Sequence, residues 1–343
     1  MTNSIDIKDI QTPLIPQELW LIEAYIKPAY FKKMVDAWQR MVEIADDALE
    51  DYMAHIPSNY RSRHVSEQPD VVWGGRVLPN FRSGLVAMQN SYIQLKNGDY
   101  DMQVTGAGIH GAIRGASDYD HDWLKDRGLN GRMGFDVYAE FYKQQEIARL
   151  YANNIAPTFG FQWLLGELTK SKLYDMGCGY GIELPAEWPT YRLNPLFQCA
   201  TDEELPKSGI YIPATARSCA NFLPIRLRIP NATTATVIDT AIPRGDDGYS
   251  IEANTIWTLV ERVSDTGGGP VQCRIVQKSE YYNVSTKQQS LPGEPNSVCP
   301  KSGTWQTPAM LSPRSIKMQA GEKFPAVEHD TGGNAVAWFW VSE

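Results

Sequence analysis

The second half of the chain repeats itself, and that repeat limits the possible folds more than any other feature. Pro206-Lys207-Ser208-Gly209-Ile210-Tyr211 returns as Pro300-Lys301-Ser302-Gly303-Thr304-Trp305, an identical PKSG followed two residues later by an aromatic. Each copy is followed by a segment with alternating basic residues, LPIRLRIP from Leu223 or RSIKMQAG from Arg314. An aromatic-rich run then closes it, IWTLV with Trp257 or AWFWV with Trp338. Three features recurring in one order predict a duplicated supersecondary unit. The alternation, with Leu223, Ile225, Leu227 and Ile229 on one side, predicts strands with one polar face, and QCRIVQKSEYYNV from Gln272 reads the same way. The interval from PKSG to the closing Trp is longer in the first copy, where a turn at Gly245-Asp246-Asp247-Gly248 accommodates the excess.

Before Tyr174 the pattern is different. Phe31, Val35, Trp38, Val42, Ala45, Leu49 and Tyr52 recur at intervals of three and four, as on one face of a helix. Pro28 divides this region into two helices, because its ring suits a first turn and breaks an interior one. Residues 56 to 79 read as a polar loop. Phe81, Leu85, Met88, Tyr92 and Leu95 predict a helix stopping at Asn97-Gly98, and further helices are expected over 135–152 and 158–170, separated at Pro157. Pro185, Pro189, Pro195 and Pro206 then punctuate a stretch without helical period, which reads as a connection. The expected class is α+β: a mainly α-helical domain over residues 1–200, then a β-rich domain over 201–343 made of two tandem related modules, about 201–264 and 295–343.

Composition excludes several functions. The net charge of -8 opposes a generic grip on nucleic acid, since phosphate binding needs a basic surplus at the contact. The five cysteines are scattered with no C-x-x-C pair, the pattern of free thiols in a reducing compartment. MTNSIDIKDIQTP has no apolar core of a signal peptide, and no stretch approaches the ~18 apolar residues of a membrane span. A cytoplasmic location without membrane contact is expected.

Three motifs raise chemistry. Asp175-Met176-Gly177-Cys178-Gly179-Tyr180-Gly181 spells the D-x-G-C-G-x-G of S-adenosylmethionine-dependent methyltransferases. That loop needs a buried parallel strand before it and a helix behind it, whereas here two lysines precede it and two prolines follow. A tight turn between the two halves is the expected use of its glycines. Gly106 to Gly111 spells G-x-G-x-x-G but leads into an acidic loop, so a flexible loop is expected there. Asp118, Asp120 and Asp122 crowd His121 and Trp123 without the glycine or the terminal glutamate of a calcium loop. No metal, no cofactor and no catalytic constellation is expected. The rivals are a methyltransferase and a carbohydrate- or envelope-binding β-module using Trp305, Trp338 and Trp340.

VCPKSGTWQTP, RSIKMQAGEKFPAV and GGNAVAWFWV resemble the C-terminal modules of immunity proteins encoded beside polymorphic toxins of type VI secretion systems, including Rhs-type effectors. The matching positions are Cys299, Pro300, Ser302, Gly303, Trp305, Gly321, Glu322, Pro325 and Trp338. VVWGGRVLPNFRSGL and YIQLKNGD, with Trp73, Gly74, Pro79, Arg82, Gly98 and Asp99, are similar to the helical half of the same families. The first copy departs from the pattern with Leu205 in place of Cys299 and Tyr211 in place of Trp305, which favours a turn plus a buried aromatic over a cysteine ligand. The resemblance implies a non-catalytic inhibitor that binds a cognate secreted toxin and blocks its active site. A basic cleft of a nuclease toxin would accept carboxylates in place of phosphates, so the acidic face Asp46, Asp47, Glu50 and Asp51 and the loop Asp118, Asp120, Asp122 with Trp123 are the expected toxin contacts. Trp73, Pro79, Arg82, Pro206, Gly209, Tyr211, Trp257, Pro300, Gly303, Trp305 and Trp338 are the expected structural motif residues.

Overall fold

The structure is a computed structural model that describes residues 5–56, 58–101, 108–115, 135–169, 182–226, 230–239, 249–271, 296–306, 315–325 and 338–342. The fold is α+β, with helices in the N-terminal half and antiparallel strands in the C-terminal half.

Helices α1 (Pro16–Tyr25) and α2 (Pro28–Ala54) each begin on a proline, the position where its missing N–H costs nothing. Helix α3 (Leu78–Lys96) follows a π-helical stretch at Asp70–Val77, so helical structure starts well before the expected Phe81. The polar composition of residues 56 to 79 hides this, because only Trp73 and Val77 of the stretch are buried. Gly98 ends α3 at φ +74, where a side chain would be strained, and the amides of Gly98 and Asp99 satisfy the carbonyls of Leu95 and Gln94. Helix α4 (Ile109–Arg114) occupies the described part of the glycine-rich segment expected to be flexible, and buries Ile109 and Ala112. Helix α5 (Phe135–Gly160) runs through Pro157 rather than breaking there. That proline lies in the last turn, where the loss of one backbone bond is tolerable, and Phe161 then leaves the helix at φ +59.

The largest strand correction falls in the proline-punctuated stretch. Glu187–Ala200 is strand β1, paired antiparallel with β6 (Ile256–Pro270). Its prolines are compatible with pairing because β1 is an edge, the sheet order being β1-β6-β2-β3 with β2 (Gly209–Pro213) and β3 (Asn221–Leu223). The sheet therefore begins inside the stretch read as a connection, and one buried cluster holds residues from both sides of residue 200. Strand β3 stops at Leu223, leaving Ile225 exposed rather than continuing the expected alternation. A hairpin, β4 (Ala235–Asp239) with β5 (Tyr249–Ala253), completes this part, and β7 (Gly303–Gln306), β8 (Ser315–Met318) and β9 (Phe339–Ser342) form the last sheet in the order β8-β7-β9. Every strand pairing among the described residues is antiparallel, whereas the methyltransferase reading requires a parallel sheet. The D-x-G-C-G-x-G segment, the Gly245 to Gly248 turn and the expected strand from Gln272 lie outside the described residues.

The two PKSG copies superpose bond for bond. Gly209 pairs with Leu223 and Gly303 with Met318. The Ser208 hydroxyl accepts from the Ile225 amide at 2.8 Å, and that of Ser302 from Ala320 at 2.8 Å. The Tyr211 hydroxyl donates to the Lys207 carbonyl at 2.8 Å, and the Trp305 indole to the Lys301 carbonyl at 3.1 Å. The amides of Leu205 and Ala232 donate to Pro230 and Glu203 just as those of Cys299 and Phe324 donate to Glu322 and Ser297. Even the left-handed residues correspond, Asp202 at φ +68 and Asn296 at φ +63.

The two modules differ in what covers them. One face of the first sheet joins the main core with the helices through Ile210, Ile212 and Phe222. Trp188 on β1 meets Trp20 of α1 with ring centroids 5.6 Å apart, and the Tyr191 hydroxyl donates to Glu23 at 2.8 Å. At the positions of Ile210, Ile212 and Phe222 the second module carries Thr304, Gln306 and Lys317. Among the described residues it has a separate buried cluster of Cys299, Trp305, Phe324 and Trp338.

Candidate functional site

The residues that carry the repeat are structural. Tyr211 and Trp257 are fully buried with Leu205, Leu223 and Leu259, and the Trp257 indole donates to the Thr233 carbonyl at 2.7 Å. Trp305 and Trp338 are 1% and 3% exposed, so neither is available to stack on a sugar; the Trp340 side chain lies outside the described residues. Pro206 and Pro300 sit exposed at the turn, and a Cβ at Gly209 would lie 2.6 Å from a Leu259 methyl, which would have to move. In the helical half, Trp73 is buried against Phe81 and Phe141 at centroid distances of 6.0 and 5.9 Å, while Pro79 opens α3. All eight tryptophans whose side chains are described are buried, so the aromatic richness of the sequence builds cores rather than an aromatic surface.

The acidic face of α2 is less open than its spelling. Asp46 is bridged to Arg82 at 2.5 Å, and Asp51 lies 3.6 Å from His55. Asp47 and Glu50 point to solvent. Alternating signs along the helix, Lys32 with Asp36 and Arg40 with Glu43, make this a mixed solvated face. Asp118, Asp120, Asp122 and Trp123 lie outside the described residues. Among the described residues no group of three His, Cys, Asp or Glu converges as a metal site would require.

Chain comparison adds no relative: no protein-family model, curated protein or solved structure matches.

Two polar clusters went unread in the sequence. At the start of the π-helical stretch, the buried Tyr60 donates to Asp70 at 2.5 Å and Arg61 bridges the same carboxylate at 2.7 Å. Burial acts to raise the Asp70 pKa, but the bonds from Arg61 and Tyr60 together outweigh it and hold the carboxyl below its usual range. The Tyr60 hydroxyl is pushed up to about 12 by burial and by that carboxylate.

The second cluster surrounds a bulge in β1. Asn194 pairs with Leu259 and Gln198 with the adjacent Thr258, so Pro195, Leu196 and Phe197 are ejected from the ladder. Leu196 is 86% exposed at the apex. The Asn194 carboxamide oxygen accepts from the Leu196 amide at 3.0 Å, and its nitrogen donates to Glu261 at 2.8 Å. Arg192 at 3.2 Å and Lys207 at 3.8 Å also meet Glu261, and the Lys207 ammonium lies 4.8 Å from the centre of the Phe197 ring. Hydrogen bonds from Asn194 and then Arg192 hold the Glu261 carboxyl below its usual pKa. The one sequence signal for this site is the apolar Pro-Leu-Phe run after an asparagine, in the stretch read as a connection.

Among the described residues, no helix is long and apolar enough to cross a membrane.

Proposed function

We propose that this chain is a cytoplasmic immunity protein that binds a cognate secreted toxin, of the kind delivered by type VI or Rhs-type systems, and neutralises it by occupying its active site without catalysis of its own. The observation that carries this reading is the resemblance at Cys299, Pro300, Gly303, Trp305 and Trp338. Those residues form one compact module whose hydrogen bonds recur at Leu205, Pro206, Gly209, Tyr211 and Trp257. Motif residues of this kind conserve a scaffold, so specificity for one toxin falls to the surface around them.

The test is a pull-down of the tagged full-length chain from its native strain. A stoichiometric complex with the C-terminal fragment of a large secreted effector, whose toxicity is abolished by adding the purified chain, is the expected result. Recovery of no effector, together with S-adenosylmethionine binding by calorimetry, would replace this reading with the methyltransferase one.

A further inference from the structure

At the bulge Pro195 and Leu196 are exposed while Phe197 packs back against the first module's core. A lone exposed leucine needs no explanation, but here the Asn194 side chain, the Glu261 carboxylate, Arg192 and Lys207 hold the backbone beneath Leu196 in one shape. Pro195 removes a further backbone freedom, and the partly buried Phe197 is wedged against the first module's core with a cation over its ring. Little ordering entropy remains to be lost when Leu196 meets a partner, which is how a small contact acquires affinity.

Resting on the immunity reading, we infer that the Leu196 bulge is the knob that enters the toxin, and that the toxin's cleft is apolar within and acidic at its mouth. The shape argues for a cleft: a convex side chain needs a concave receptor, and on enzymes the apolar concavities are substrate sites. The charge argues for an acidic mouth. Arg192 and Lys207 beside the knob keep 67% and 46% of their side chains exposed, whereas the Glu261 that both meet keeps 25%, so the charge these three present to solvent is cationic within a chain of net charge -8. A second copy of this chain fits poorly. Two-fold pairing would set one cationic patch against its copy, and three residues bury far less than the ~800 Å² per partner that a stable interface needs.

The experiment is calorimetric titration of the full-length chain with the toxin domain recovered as its co-purifying partner. Leu196→Asp should weaken binding about 100-fold while leaving the melting temperature unchanged, because the side chain packs against almost nothing. Arg192→Gln with Lys207→Gln should slow association and flatten its dependence on salt. Wild-type binding with a Leu196→Asp affinity within threefold of it overturns the knob and leaves the immunity reading standing. An unchanged salt dependence in the double variant overturns the acidic mouth. A wild-type chain with no toxin partner removes the function and the knob together.

Discussion

Truncating Trp338 should unfold one module and leave the rest of the protein standing. Trp338 is 3% exposed in a cluster whose other buried members are Cys299, Trp305 and Phe324, and it stacks on Phe324 with ring centroids 6.4 Å apart. Trp338→Ala removes the transfer free energy of an indole and leaves a cavity that a core this small cannot collapse to fill, a loss of about 3–5 kcal/mol. A unit this small has a total stability of ~3–5 kcal/mol, so the loss consumes it. Strands β7, β8 and β9 take their substantial packing from one another, and their buried cluster shares no residue with the main core, so the damage stays local. Hydrogen exchange read by mass spectrometry should show amides of 303–306 and 315–318 losing protection in Trp338→Ala. Amides of α2, α5 and β6 should keep theirs. The matched variant Trp257→Ala, which also strips the Thr233 carbonyl of its donor, should instead lower the main transition, by at least the same amount. If Trp338→Ala lowers protection across α2 and β6 as well, the two bodies unfold as one and the argument from separate cores is wrong.

Exchanging equivalent residues between the modules should be asymmetric. Phe222→Lys buries an ammonium in the helix–sheet core and should abolish soluble expression or cost several kcal/mol by chemical denaturation, whereas Lys317→Phe should leave its module folded. Asp46→Ala should change stability by no more than about 1 kcal/mol, since its bridge to Arg82 is largely solvated. Asp70, with its folded pKa below the unfolded value, contributes stability present above the unfolded carboxylate range and lost as pH falls through the folded value. An acid titration of Asp70→Asn should therefore be flatter than wild type in that low-pH window. The buried thiol of Cys199, pushed up to about 11 first by desolvation and then by Glu203, should react with a thiol reagent at neutral pH only after denaturant is added.

Helices α1 and α2 were legible because α2 is amphipathic over 27 residues and Pro16 and Pro28 stand where the two helices start. The repeat was legible for a different reason: in each copy the PKSG serine hydroxyl accepts a backbone amide and the aromatic two residues after the glycine donates back to the turn, so those side chains cannot change freely without losing bonds. Strand β1 was illegible because two of its residues are prolines, which propensity counts against any strand and which only knowledge of its edge position excuses. The acidic face on α2 misled in the opposite sense. A sequence shows charges but not their partners, and Arg82 lies 36 residues away from the Asp46 it neutralises. The bulge at Leu196 depends on register, a property of two strands that no single segment carries.

Those prolines also matter while the chain is being made. Strand β1 leaves the ribosome before its partner β6 has been synthesised, and at ~5–20 residues per second the wait lasts several seconds. During that time an extended apolar segment would be free to pair with any other open strand, on the same chain or on a neighbour translated from the same message. Pro189 and Pro195 deny it the regular row of amide donors such pairing needs, and α1, already synthesised, offers Trp20 and Glu23 as a place to hold Trp188 and Tyr191. The same two residues that disguise β1 as a linker thus act as its chaperone, keeping the edge unsociable until Ile256 to Pro270 arrives to claim it.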